Sequence, residues 1–211
     1  MEKVDTEAMK VEFLEKSKSR LMELNVAVVL ADREEFPEKV ELKNRHKLFI
    51  TGIGKVNATM KMTEIIHTFS PDLVINLGTA GSPKLVRDNV YQCENFIQKD
   101  MDATAIGYKK YTTPGESTEQ IFQYKYLTTN LEQAICGTAD MFTACSDNDI
   151  WNLNEMEGYA LAKTCYHYNV PFLCFKAISD GADESSVKDY RDSFATIPEK
   201  LYQVYKDLCD A

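Results

Sequence analysis

HKLFITGIGKVNATMKMTEIIHTFSPDLVINLGTAGS, residues 46–82, decides the fold. Residues 46–54 form a short apolar run that ends in glycines. Residues 55–69 carry apolar positions at helical spacing, and 70–82 form a second buried-type run entering a glycine-rich turn. Strand, helix and strand in that order imply a largely parallel sheet with helical cover. Upstream, NVAVVLA (25–31) is a β-branched run of the fully buried kind; downstream, VPFLCFKAIS (170–179) is another. NVYQCENFIQKD (89–100) and the segment around IFQYKYLTT (121–129) also read as strands, with KKYTTPGES (109–117) as a loop on a proline-glycine turn. Residues 150–168 read as a helix whose apolar face includes Met156, Ala160, Ala162 and Cys165, and 186–211 finish the chain with helix. Residues 5–24 also read as helical, with Asp5 or Thr6 as the N-cap. The chain therefore divides into an N-terminal helical extension, 1–24, and a single α/β domain, 25–211.

Composition narrows the function. With 211 residues, 44% of them hydrophobic and 27% charged, the chain has enough apolar surface for one sizeable core. No apolar window of about eighteen residues is present, and the first residues, MEKVDTEAMKVEF, lack a signal or transit profile. A cytoplasmic protein without membrane contact is expected. A formal charge of −9 repels polyanions, so nucleic acid is not an expected partner and a small neutral or cationic ligand fits better. The six cysteines, at 93, 136, 145, 165, 174 and 209, include no C-x-x-C pair and have no histidine at zinc-ligand distance. They read as reduced, mostly buried thiols, and neither a metal nor a cofactor is expected.

Ligands of open α/β sheets collect beyond the carboxyl ends of the strands. The segments at those places are 31–35, 51–54, 78–81 and 179–183, and they offer Glu35, Thr79 and Asp180, with Glu157 supplied by the helix before the last strand. Three carboxylates and a hydroxyl around one pocket suit proton transfer and water activation. Each also has a plainer reading: Glu34 and Glu35 as a solvated loop pair, Asp180 as the cap of a turn, Glu157 on a helix's wet side. No G-x-G-x-x-G or Walker pattern is present. Periodicity and spacing alone stop at an α/β enzyme of unidentified reaction.

TGIGKVNA (51–58), VINLGTAGS (74–82), DMDATAIGY (100–108), NEMEGYALA (154–162) and AISDGAD (177–183), in this order, resemble the purine nucleoside phosphorylase/nucleosidase superfamily. Within it they are most similar to the methylthioadenosine/S-adenosylhomocysteine nucleosidases. The resemblance runs over roughly residues 25–208, and LADREEF (30–36) stands in the place of the family's N-terminal acidic motif. It implies a single-domain three-layer α/β sandwich, nucleoside phosphorylase-like, with a mixed, largely parallel central sheet. It implies hydrolysis of the N-glycosidic bond of a 5′-thio-substituted adenosine, with futalosine-type or general purine nucleosidases and a silent nucleoside binder as alternatives. Carried onto this chain, Asp180 is the acid that protonates N7 of adenine, beside Ser179, and Glu157 with Met156 holds the ribose hydroxyls. Glu35 activates water with Thr79 and Lys176 as partners, Phe142 and Thr143 address the base, and Ile53 lines the 5′ substituent. Lys176 stands where the nucleosidases usually have arginine, and Thr79 replaces a serine. The resemblance further implies a homodimer, in which the segment with Ala103, Ile106 and Pro114 reaches the neighbour's pocket. The superfamily's phosphorylases carry phosphate-clamping arginines where this chain has Asn76 and the acidic ADREE segment, so water is the expected nucleophile.

Overall fold

The computed structural model describes residues 21–116, 122–125, 129–142, 150–183 and 186–210. Strand β1 (Val26–Leu30) lies at the heart of the sheet and all five of its residues are fully buried, as a β-branched run covered on both faces must be. It pairs in parallel with β2 (His46–Ile50) on one side and β3 (Leu73–Gly81) on the other. β8 (Phe172–Asp180) continues the parallel set beside β3. β4 (Val90–Gln98) then runs antiparallel to β8, and β6 (Gln133–Thr138) parallel to β4. β7 (Leu153–Glu155) lies parallel to β6 and meets β3 antiparallel where Asn154 faces Gly81. Following the pairings from β3 through β8, β4, β6 and β7 returns to β3, so part of the sheet closes on itself. The two-residue β5 (Phe122–Gln123) pairs with the outer side of β4.

Alternation along the strands sends side chains into two cores, one on each face. Ala27, Val29 and Val74 pack with Ala58, Met62 and Ile65 of helix α1 (Lys55–Phe69) and with Leu161 and Cys165 of helix α2 (Gly158–His167). Val26, Val28, Leu30, Ile75 and Leu77 pack on the opposite face against Leu201, Val204 and Tyr205 of helix α4 (Ile197–Asp210). Helix, sheet and helix give the three-layer sandwich. Each fully buried aliphatic side chain contributes about 1.5–3 kcal/mol relative to exposure. Helix α3 (Ser186–Ser193) precedes α4 and contacts β8. His46 joins β2 to α4: its Nε2 faces the Leu21 carbonyl at 3.0 Å and its Nδ1 meets the Tyr205 hydroxyl at 2.8 Å. A carbonyl only accepts, so Nε2 carries the hydrogen and Nδ1 accepts from the phenol. Burial lowers the ring's pKa, in keeping with this neutral form.

The structure changes the sequence expectation at several places. The helix expected over 150–168 begins only at Gly158, and 153–155 is strand β7. The cause is local: the Glu155 carboxylate accepts the N–H groups of Glu157 and Gly158 at 2.9 and 2.6 Å and so fixes where the helix starts. Of the strand expected around 121–129, the described residues are 122–125 and 129, of which Phe122–Gln123 alone is strand, and β6 was not anticipated. The terminal helical stretch is two helices, broken at 194–196. The N-terminal helix expected over 5–24 lies outside the described residues except for its end, where Leu21–Glu23 is a 3-10 turn.

Candidate active site

One pocket gathers the carboxyl ends of β1, β3 and β8 together with the β7–α2 junction. Glu35, Glu157 and Asp180 all line it, and all are buried, at 4%, 5% and 2% exposure. The sequence placed Glu35 and Asp180 after separate strands and Glu157 on the helix before the last one, and the fold brings the three together.

Glu35 ends a short 3-10 turn, Arg33–Glu35, that Asp32 caps by accepting the Glu34 N–H at 3.0 Å. Its carboxylate is fully engaged. Oε1 accepts from the Thr79 N–H and the Thr79 hydroxyl, both at 2.8 Å, and Oε2 accepts from the Ala31 and Asp32 N–H groups at 3.1 and 3.2 Å. Every one of these partners donates, and each carboxylate oxygen accepts two hydrogen bonds.

Asp180 closes β8, where a register shift between Ala80 and Gly81 lets it face Gly81. The Ser179 hydroxyl lies 2.7 Å from its Oδ2, and the Ala182 N–H donates to Oδ1 at 2.9 Å. Only glycine fits opposite, because a Cβ at position 81 would stand 2.5 Å from Asp180 Oδ1.

Glu157 is the residue before α2, and its Oε1 accepts the Gly54 N–H at 2.8 Å. Gly54 has φ +93°, a conformation glycine adopts without strain, which aims that N–H across the pocket. Burial first, then the neighbouring Glu155 and Glu35, push the Glu157 pKa up to about 8. Glu155 behaves in the opposite sense. Burial works against its charge, but Lys176 at 3.1 Å, the Thr138 hydroxyl and the two backbone N–H groups hold its pKa below the usual value. Lys176 is likewise kept protonated against the pull of burial, by Glu155 first and by Glu157 among others. Two adjacent carboxyls thus divide their roles: Glu155 keeps the charge and Glu157 holds the proton.

Thr79, Met156, Ser179, Ile53 and Phe142 line the pocket. Phe142 is 49% exposed, and its ring meets Tyr190 edge-on at 6.2 Å. The loop before it is tied to the start of α1 by Asp140, which accepts the Lys55 N–H at 2.7 Å. Lys176 is not in the pocket wall; it lies behind it, 1% exposed, drawn to Glu155. Ile106, 70% exposed, and the exposed Pro114 stand apart from this pocket. Thr143 lies outside the described residues. The sequence reading did not single out Glu155, Asp32, Asn154 or Tyr190, which also line the pocket. For Glu155 the sequence held no signal: its place comes from β7, which pairs with β6 and puts Glu155 opposite Thr138, and neither strand was anticipated. Asn76 turns into the core, where it bonds the Val29 carbonyl at 3.0 Å and receives the Cys174 thiol at 3.3 Å. Among the described residues, the pocket lining holds the carboxyls of Asp32, Glu35, Glu155, Glu157 and Asp180 and no lysine or arginine.

Comparison with known proteins agrees with this geometry. A family model described as the Phosphorylase superfamily matches residues 12–208. The 5′-methylthioadenosine/S-adenosylhomocysteine nucleosidase of Staphylococcus aureus strain MRSA252 is 32% identical over 163 residues, which cover 67% of this chain and 72% of that protein. The chain belongs to the phosphorylase superfamily and, within it, to the family of the 5′-methylthioadenosine/S-adenosylhomocysteine nucleosidases. Among solved structures, the nucleosidase of that name from Neisseria meningitidis, in complex with methylthio-immucillin-A, superposes with a TM-score of 0.75 at 25% identity, covering 88% of this chain and 98% of that one. The futalosine hydrolase of Helicobacter pylori shares the fold at a TM-score of 0.75 and 19% identity, covering 88% of this chain and 97% of its own.

Proposed function

We propose that this protein is an N-glycosyl hydrolase that cleaves 5′-thio-substituted adenosines, methylthioadenosine and S-adenosylhomocysteine, and releases adenine. The observation that carries the reading is the convergence of Glu35, Glu157 and Asp180 in one pocket whose lining, among the described residues, contains no cation. A phosphate dianion entering among five carboxyl groups would meet repulsion with no guanidinium or ammonium among the described wall residues to offset it, whereas water meets no such barrier.

The chemistry then divides among the three groups. Asp180 gives its proton to N7 of the base, so that the C1′–N9 bond breaks with its electron pair going to a neutral adenine. Ser179, on Oδ2, fixes which carboxyl oxygen faces the base. Positive charge develops on the ribose, and Glu157 holds the ribose hydroxyls beside Met156. Water adds to C1′ as Glu35 takes its proton. Thr79 keeps Glu35 in position through two hydrogen bonds. Phe142 supplies a face for the purine, and Ile53 lines the 5′ end.

A homodimer is part of the same reading. Ile53, Val56 and Met60 put an exposed apolar stripe on the start of α1, with Ile106 and Met141 also exposed. Such a surface suits a two-fold contact through which Ile106 and Pro114 close the neighbour's pocket. A cytoplasmic place in methionine salvage accords with such a substrate, and no described helix is long and apolar enough to cross a membrane.

The test is adenine release from methylthioadenosine in phosphate-free buffer, repeated with S-adenosylhomocysteine, futalosine and unsubstituted purine nucleosides. Release of free base and free sugar from the thio-substituted substrates is expected, with no acceleration by added phosphate. A sugar 1-phosphate product, or no release from any of them, overturns the reading.

A further inference from the structure

The order of strands gives the pocket a direction. Asp180 ends β8, β3 lies beside it, and β1 and β2 follow. With the base at Asp180 and the ribose at Glu157, the 5′ substituent points to the ends of β1 and β2, where Ile53 stands. There the two chains leave the sheet side by side: the Thr51 N–H donates to the Leu30 carbonyl at 2.9 Å and the Gly52 N–H to the Ala31 carbonyl at 3.1 Å. The next residues, Asp32 and Ile53, both line the pocket. The end that receives the substituent therefore carries one apolar side chain and one carboxylate.

Asp32 differs from the other acidic groups of the lining in what its carboxyl already does. Glu35 accepts two hydrogen bonds on each oxygen, and Asp180 one on each. Glu155 pairs with Lys176, and Glu157 accepts from Gly54 beside the place given to the ribose hydroxyls. On Asp32, Oδ1 accepts the Glu34 N–H at 3.0 Å, and among the described residues no hydrogen bond or ion pair reaches Oδ2. The adjacent cation is engaged elsewhere: the Arg33 guanidinium donates to the carbonyls of Phe36, Pro37 and Glu38, each at 2.8 Å. Asp32 is half-buried, so Oδ2 is partly withdrawn from water with no protein donor in exchange. A ligand group that both donates hydrogen bonds and carries positive charge suits it best.

We propose that Asp32 is a specificity-determining residue: its Oδ2 receives an ammonium group on the 5′-thio substituent, so the pocket favours cationic tails over neutral or anionic ones. This rests on the substrate class proposed above and narrows it. Ile53 takes the methylenes of the tail, and Asp32 takes its charged end. The other carboxyls of the lining add attraction of the same sign at longer range. The tail does not react, so its contacts act alike on the ground and transition states and appear in KM rather than in kcat.

The test compares adenosines with three tails of matched length, 5′-(3-aminopropylthio), 5′-butylthio and 5′-(2-carboxyethylthio), on wild type, Asp32→Asn and Asp32→Ser. Asparagine and serine remove the charge but keep an oxygen that caps the turn carrying Glu35. In wild type, kcat/KM should be highest for the aminopropyl tail and lowest for the carboxyethyl tail. The ratio of aminopropyl to butyl should fall about five- to tenfold in both variants, as for loss of a charged hydrogen bond partly open to solvent. Any disturbance of the Glu35 turn acts on every substrate and cancels in the ratio. A ratio that is unchanged in the variants, or that falls through kcat instead of KM, overturns the proposal. If the wild-type protein releases no base from any tail, the proposed function fails, and the ratio is read from dissociation constants by calorimetry. An ammonium preference that vanishes in Asp32→Asn then still upholds the subsite, and equal affinity for all tails, or no binding, overturns it. An active enzyme whose ratios match in wild type and variants sinks the subsite alone.

Discussion

Replacing Glu157 by glutamine should stabilise the protein, and increasingly so as pH rises. Glu157 is buried beside Glu155 and near Glu35, and its pKa is pushed from 4.5 up to about 8. A carboxyl whose folded-state value lies above its unfolded value binds its proton more tightly in the native state, so its contribution to stability is fully present below pH 4.5. That contribution drains away as pH rises and is gone above about 8, where the native state must hold an extra buried anion. At about 1.4 kcal/mol per pH unit, the interval corresponds to a ceiling of about 5 kcal/mol, of which about 3 kcal/mol is already lost at pH 7. Glutamine is neutral and isosteric and still accepts from the Gly54 N–H, so it escapes this penalty. With about 2–4 °C of Tm per kcal/mol for a chain of this size, the variant should melt about 6–12 °C above wild type near neutrality. The assay is thermal unfolding of both proteins, ligand-free, from pH 4 to 9. Coincident curves at pH 4 that separate with rising pH are expected. Curves that stay parallel, or a glutamine variant less stable at pH 8, would refute the reasoning.

Three further outcomes follow from the site. Asp180→Asn removes the transferable proton but keeps the shape that meets Ser179, so turnover should fall about 100- to 10,000-fold while adenine binding, measured by calorimetry, survives. Lys176→Met strands the buried Glu155 charge and should cost about 3–5 kcal/mol in chemical denaturation; adding Glu155→Gln should recover much of the loss. Gly81→Ala places a methyl group 2.5 Å from Asp180 Oδ1, so kcat should drop far more steeply than Tm, and equal losses in both would count against the close-approach argument.

The parts of the fold that could be read from sequence are those where one physical demand dominates. β1, β3 and β8 are buried on both faces and so are written as continuous apolar runs. β6 and β7 escape because their identity is set by partners far along the chain. QAICGT contains Gly137, whose missing side chain makes room for Trp151, with a built Cβ falling 2.6 Å from the indole. β7 is three residues that the helical spacing of 150–168 absorbed, and the real helix start depends on a side chain, Glu155, capturing two backbone groups. The site shows the same division. Glu157 and Asp180 stand out as carboxyls beside apolar runs. Glu35 looks like half of an exposed acidic pair until Thr79, forty-four residues away in the chain, donates to it twice. Lys176 took its meaning only from a neighbour, held behind the pocket wall by its ion pair with Glu155.

The closed circuit of strands also orders events as the chain is made. β8 lies between β3 and β4, and until it arrives both of those long strands present open edges. A nascent chain that has emerged only as far as β7 can therefore form the β2–β1–β3 and β4–β6 pairs but not the ring, and it lacks Asp180 entirely. Long-range pairings of this kind are slow to form, and unpaired edges invite association with other chains. The strand that carries Asp180 is thus also the one that seals the sheet, so the chain completes its pocket and its protection from aggregation in a single late step.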